Sequence, residues 1–111
     1  MAFLRACALA DIKDDAALGV TVDGQDVALA RHGEEIFAVE DMCSHANVAL
    51  SEGDIEDCTV ECWLHGSRFD LRTGKPTGLP ATEPVATFPV DVRDGDVFVD
   101  IQTTLNGVTP A

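Results

Sequence analysis

Two mixed cysteine–histidine pairs restrict this chain more than any other feature. They are Cys43-Ser44-His45 and Cys62-Trp63-Leu64-His65, together C-x-H-x16-C-x2-H. Each pair offers one thiolate and one imidazole, and the segment between them must fold back to bring the pairs together. Four such ligands can hold zinc or an iron–sulfur centre. Zinc sites commonly pair Cys with Cys and His with His. Here both pairs are mixed, and C-x-H is a tight spacing for zinc.

The rest of the chain must supply a framework for that segment. Its 111 residues make one domain, and a hydrophobic content of 46% is that of a globular protein. Short apolar runs separated by turn residues predict an antiparallel, all-β fold. Residues 3–9 read as a first strand and 11–17 as one helical turn. Residues 20–22 and 27–31 flank Asp23-Gly24, while 85–92 and 97–101 flank Asp94-Gly95. Both Asp-Gly pairs predict hairpins, because glycine tolerates the positive φ of a tight turn. A turn at His32-Gly33 leads into a half-buried strand over 36–39. Residues 41–84 are rich in Cys, His, Gly and Pro and read as an insertion into the sheets, with 102–111 as a loosely held tail.

The residues around the ligand pairs resemble the Rieske family. Residues 43–53 are similar to its first box and 62–70 to its second, while 71–75 and Leu79-Pro80-Ala81 resemble the turn and proline loop that cover the cluster. The likeness runs over residues 3–101, so 1–101 is expected to be a single domain with a cluster-binding subdomain at about 41–84. It implies an antiparallel β sandwich carrying an inserted two-loop subdomain and one 2Fe–2S cluster. Cys43 and Cys62 would bind one iron, His45 and His65 the other. Around these ligands, Gly66 would let backbone amides approach the cluster, and Ser67 would bond a sulfur or cap a turn. Trp63 and Leu64 would shield the site, although Trp63 suits core packing equally well. Cys7 and Cys58 read as packing residues, and His32 as a solvated turn residue.

The resemblance implies an electron carrier. A Rieske oxygenase needs further ligands for mononuclear iron, and after His45 and His65 only His32 remains. The chain is similar to the stand-alone ferredoxin that passes electrons from a flavin-dependent reductase to a terminal oxygenase. Service to iron–sulfur assembly proteins is the alternative. The 20 acidic and 7 basic residues give a net charge of −13, which argues against nucleic-acid or membrane binding and suits a partner with a basic face. Arg68, Arg72 and Lys75 follow the second pair and read either as ordinary soluble turn residues or as a local basic rim, whereas Glu52, Asp54, Glu56, Asp57 and Glu61 read as a solvated loop. No apolar run approaches the about 18 residues of a membrane span. Residues 6–10 are too short for a secretory core, so a cytoplasmic location is expected, and the protein is separately expected to be a monomer. A reducing compartment also favours metal ligation over disulfides for the four cysteines.

High-potential members of the family carry a disulfide between the loops and a tyrosine beside the cluster. The matching positions here are Val48, Leu64 and Phe69. Without that hydroxyl donor the reduced state is less stabilised. A redox titration is expected to place the midpoint at about −150 mV, the low end of the family range. A clearly positive midpoint would contradict this reading.

Overall fold

The computed structural model describes residues 3–43, 48–64, 66–78 and 81–110. Its strands are β1 (Leu4–Ala8), β2 (Ala16–Val22), β3 (Gln25–His32), β4 (Glu35–Glu40), β5 (Ile55–Glu56), β6 (Thr59–Glu61), β7 (Arg68–Asp70), β8 (Thr87–Phe88), β9 (Val90–Arg93) and β10 (Asp96–Val99). They form three antiparallel sheets, ordered β1-β10-β9, β2-β3-β4-β8 and β5-β6-β7. Among the described residues the only helical turns are 3-10 turns at Leu9–Asp11 and Leu50–Glu52. This is the expected all-β class.

Turn chemistry explains the hairpins. Val22 pairs with Gln25, leaving Asp23 and Gly24 in the turn at φ 47° and 83°. Arg93 pairs with Asp96 around Asp94 and Gly95, at φ 52° and 77°. Two successive positive φ values give a turn whose twist matches the flanking strands. A third turn of this kind joins β5 to β6 through Asp57 and Cys58, at φ 50° and 59°. Asp57 suits its turn position as Asp23 and Asp94 do, but cysteine in place of glycine leaves the turn weakly marked in the sequence. The β3–β4 turn sits one residue later than expected, on Gly33-Glu34, because His32 still pairs with Glu35 in the ladder.

Two further sequence expectations change. Residues 11–17 do not make a helical turn. Asp15 at φ 53° redirects the chain, and Ala16 and Ala17 enter β2 opposite Arg31 and Ala30. Ladder pairing and burial of Ala17 against the core outweigh the helical preference of alanine. The run 85–92 is likewise not one strand. It divides at Pro89, so β8 joins β4 while β9 crosses to the outer sheet. Proline has no N–H to give a ladder, which makes it a natural point to change sheets. Its carbonyl accepts from Asp100 N at 3.2 Å.

The central sheet is buried on both faces. Val27 and Leu29 of β3 belong to a core with Ala38, Phe88, Val97 and Val99 between the two larger sheets. Ala28 and Ala30, on the opposite face by strand alternation, belong to a second core with Leu50, Val60, Phe69 and Leu71 of the inserted segment. Alanine on this side lets the insertion lie close to the sheet. Replacing Ala28 by Leu should therefore overpack the second core and cost about 1–3 kcal/mol. Urea unfolding would measure the loss, and an unchanged midpoint would show that this wall has room to spare.

Candidate metal centre

Of the proposed ligands, Cys43 and Cys62 lie among the described residues; His45 and His65 lie outside them, as does Pro80. Cys43 is 3% exposed and Cys62 is fully buried, and both belong to the core beneath the central sheet. No cysteine forms a disulfide. The fold has thus drawn two thiols from distant loops into one apolar cluster.

Each loop is tied by bonds that regular structure does not provide. In the first, Cys43 N donates to Val48 O at 3.0 Å. Asp41 closes its base, accepting from Ser51 N and Ser51 Oγ, both at 2.7 Å. Gly19 of β2 makes room for this pair: a side chain there would lie 2.7 Å from Ser51 Oγ and 2.9 Å from Asp41 Oδ2. In the second loop, Cys62 N donates to Ser67 O at 2.6 Å and Gly66 N to Cys62 O at 2.8 Å. The Gly66 amide therefore closes the loop itself, and the φ of 76° explains why glycine stands there. Ser67 is 1% exposed, and its Oγ accepts from Ala81 N at 3.1 Å. The hydroxyl proton has no acceptor among the described residues.

The loops meet at Gly53, where a side chain would run into the Glu61 carbonyl; Glu61 N in turn donates to Asp54 O at 2.9 Å. Gly53 has φ −91° and ψ 175°, open to any residue, so space alone demands glycine. Sequence reading missed Asp41, and no pattern signals it. Ser51 and Gly53 stood inside the first box without a role.

The expected basic rim does not form as such. Arg68 is held by Glu61 at 2.8 Å and Glu56 at 3.6 Å. Arg72 makes a two-bond pair with Glu35, at 3.1 and 2.8 Å, and lies over Phe37. Its hydrogen bonds hold the Glu35 carboxyl below the usual range. Of the three cations only Lys75 makes no ion pair among the described residues. The same pairs engage two members of the expected solvated loop: Glu61, which is partly buried, and Glu56, which stays exposed. Trp63 and Leu64, at 50% and 45% exposed, are not core residues; they form an apolar surface beside Cys62.

Of the other candidates, Cys7 and His32 lie apart from this site, while Cys58 packs against the same core as Cys43 and Cys62. Cys7 packs in the sandwich core, and burial raises its thiol pKa. Burial likewise raises that of Cys58, which sits in the β5–β6 turn. His32 Nδ1 is 2.9 Å from Asp15 Oδ1, an exposed pairing at the end of β3.

A Rieske [2Fe-2S] domain model matches residues 2–89. The chain belongs to the Rieske [2Fe-2S] family. Its cofactor is one Rieske-type 2Fe–2S cluster, and the zinc alternative falls with this match. The chain is 46% identical over 99 residues to the ferredoxin subunit of 3-phenylpropionate/cinnamic acid dioxygenase from Escherichia coli K12, covering 88% of this chain and 92% of that one. Among solved structures it is similar to the ferredoxin of carbazole 1,9a-dioxygenase from Nocardioides aromaticivorans IC177, with TM-score 0.84, 35% identity and coverage of 89% and 97%. It is also similar to a chain in a complex of reduced oxygenase and oxidised ferredoxin of carbazole 1,9a-dioxygenase, with TM-score 0.81, 36% identity and coverage of 87% and 91%. These relatives bear the names of electron carriers, not of catalytic subunits, and the function of this chain is of the same kind. Among the described residues no helix is long and apolar enough to cross a membrane.

The two thiols and the spare hydroxyl of Ser67 fit such a group chemically. A buried thiolate needs a compensating positive centre, which iron supplies. Replacing Gly53 by Ala should force the loops apart, lowering stability by about 1–3 kcal/mol and reducing the iron retained per chain. Iron analysis together with thermal unfolding would test this; full iron at wild-type stability would show that the loops do not depend on their contact there.

Proposed function

We propose that the cluster is held by Cys43 and Cys62 on one iron and by His45 and His65 on the other, and that the protein passes single electrons from a flavin-dependent reductase to a terminal oxygenase. The carrying observation is the burial of two non-disulfide thiols, at 3% and 0% exposure, in one core reached from two separate loops. When bound, the cluster supplies a one-electron couple at mild potential. The chain's residues set its surroundings. Ser67 offers a hydroxyl proton, a donor that stabilises added negative charge. Phe69 is fully buried and offers none. Residues 41–84 act as the cluster-bearing subdomain, the sandwich as its mount.

The exposed Trp63 and Leu64 lie between Cys62 and His65 and suit a docking face in which apolar contact excludes water at the point of transfer. Around it the net charge of −13 suits partners with basic docking faces. The carbazole dioxygenase complex, in which oxygenase and ferredoxin associate, supports this mode of partnership. Four unbridged thiols suit the reducing cytoplasm.

Replacing Cys43 or Cys62 by Ser, or both histidines by Ala, should abolish the red-brown colour and the bound iron. Two irons and two sulfides per chain surviving these changes would refute the ligand assignment. The pair Trp63→Ala and Leu64→Ala should keep the cluster yet slow transfer to an oxygenase by about tenfold or more, as loss of interface anchors does. Stopped-flow oxidation of the reduced protein at several salt concentrations would measure both the docking loss and the charge dependence. Rates equal to wild type would remove this face from the interface.

A further inference from the structure

A carboxamide combines two N–H donors with two acceptor positions, and Asn and Gln alone carry one. Asn106 uses all four. Its Nδ2 donates to Thr73 O at 2.9 Å and to Val85 O at 2.8 Å. Its Oδ1 accepts from Thr87 N at 3.3 Å and from Val108 N at 3.2 Å. Leu105 N donates to Thr87 O at 2.8 Å. The tail therefore runs beside β8 as a short false strand in which a side-chain amide replaces a backbone group. Further on, Gly107 at φ 74° redirects the chain and Val108 packs against the sandwich core. The tail, expected to be loose for want of apolar residues, is held by hydrogen bonds instead.

The groups that Asn106 binds lie at the neck of the span between residues 74 and 85, which leaves the second ligand loop and returns to the sheet. Gly74 N donates to Asp70 O at 2.7 Å, and Val85 N to Gly74 O at 2.9 Å. A side chain at Gly74 would run into the Val85 carbonyl and lie 2.7 Å from Asn106 Nδ2. Within the span, Ala81 N donates to Ser67 Oγ, and Ser67 O accepts from Cys62 N. Apart from the covalent stretch 81–85, hydrogen bonds lead all the way from the tail to Cys62. The tail lies outside the residues that match the family model, 2–89.

We propose that Asn106 is a positioning residue for the cluster: from the tail it pins Thr73 and Val85, and through the stretch 81–85 it holds Ser67 and the Cys62 loop in place. This rests on the assignment of Cys62 as a ligand. Without the carboxamide, the carbonyls of Thr73 and Val85 and the amide of Thr87 lose their partner together. The stretch 81–85 then loosens locally while the sandwich stays folded.

The experiment uses the cluster-loaded protein with Asn106→Ala and Asn106→Asp. The aspartate keeps an acceptor for Thr87 N and Val108 N but sets an oxygen against two carbonyls, so it separates the donor bonds from simple loss of bulk. Val97→Ala, in the opposite core, controls for general destabilisation. Hydrogen–deuterium exchange of peptides covering residues 73–88 and the rate of chelator-driven bleaching are read under native conditions. Both Asn106 variants should raise exchange and bleaching by about tenfold, while Val97→Ala, at equal or greater loss of thermal stability, leaves both within about twofold. Unchanged exchange over 73–88 overturns the proposal. So does faster exchange with unchanged bleaching, or an equal effect from Val97→Ala. If Cys62→Ser retains its iron, the ligand assignment fails and the link to the cluster fails with it, while the exchange data still report on the pin.

Discussion

Among the described residues the two cysteine-bearing loops have little regular structure, yet they carry buried residues, Cys43, Leu50, Cys62 and Ser67, whose backbone groups must be satisfied. That constraint governs this half of the molecule. Where ladders stop, side chains replace them. Asp41 receives Ser51, the Ser67 hydroxyl receives Ala81, and Asn106 serves Thr73, Val85, Thr87 and Val108. Glu40, 6% exposed, adds a fourth case: its Oε1 accepts from Ala86 N while its own N donates to Ala86 O. These residues bring loops that cannot form a sheet into a fixed relation with one that can.

The framework was largely legible because its signals are local. Asp23-Gly24 and Asp94-Gly95 announce positive φ in the sequence, and alternation marks β4. The misreadings share one cause, that local preference yields to pairing made elsewhere. Ala16 and Ala17 look helical until β3 lies beside them, and the run 85–92 looks continuous until Pro89 sends its halves to different sheets. Cys58 occupies a left-handed turn position that its residue type does not advertise. The ligand candidates stood out because four chemically distinctive residues at fixed spacing are rare. Their supports did not, since Asp41 and Asn106 reach partners 10 to 33 residues away and carry no pattern.

Charge shows the same limit. The sequence counts seven basic residues but cannot say which are already engaged. In the fold Arg5 meets Asp96, Arg31 meets the Ile12 carbonyl, Arg68 meets Glu61, Arg72 meets Glu35 and Arg93 meets Asp91. Every arginine is thus engaged internally, and the acidic excess is left to set the long-range field. On the proposed docking face, the exposed pair Trp63 and Leu64 is where that field would deliver a partner.

Strand β3 is shared by two tenants. Odd-numbered positions Val27 and Leu29 answer to the sandwich, and even-numbered Ala28 and Ala30 answer to the redox insertion. Sequence drift along this strand is therefore bound by two separate codes, read on alternate residues. A substitution at an even position of β3 would thus be felt in the core that holds Cys43 and Cys62, and one at an odd position in the sandwich core, so a single strand answers to two packing demands.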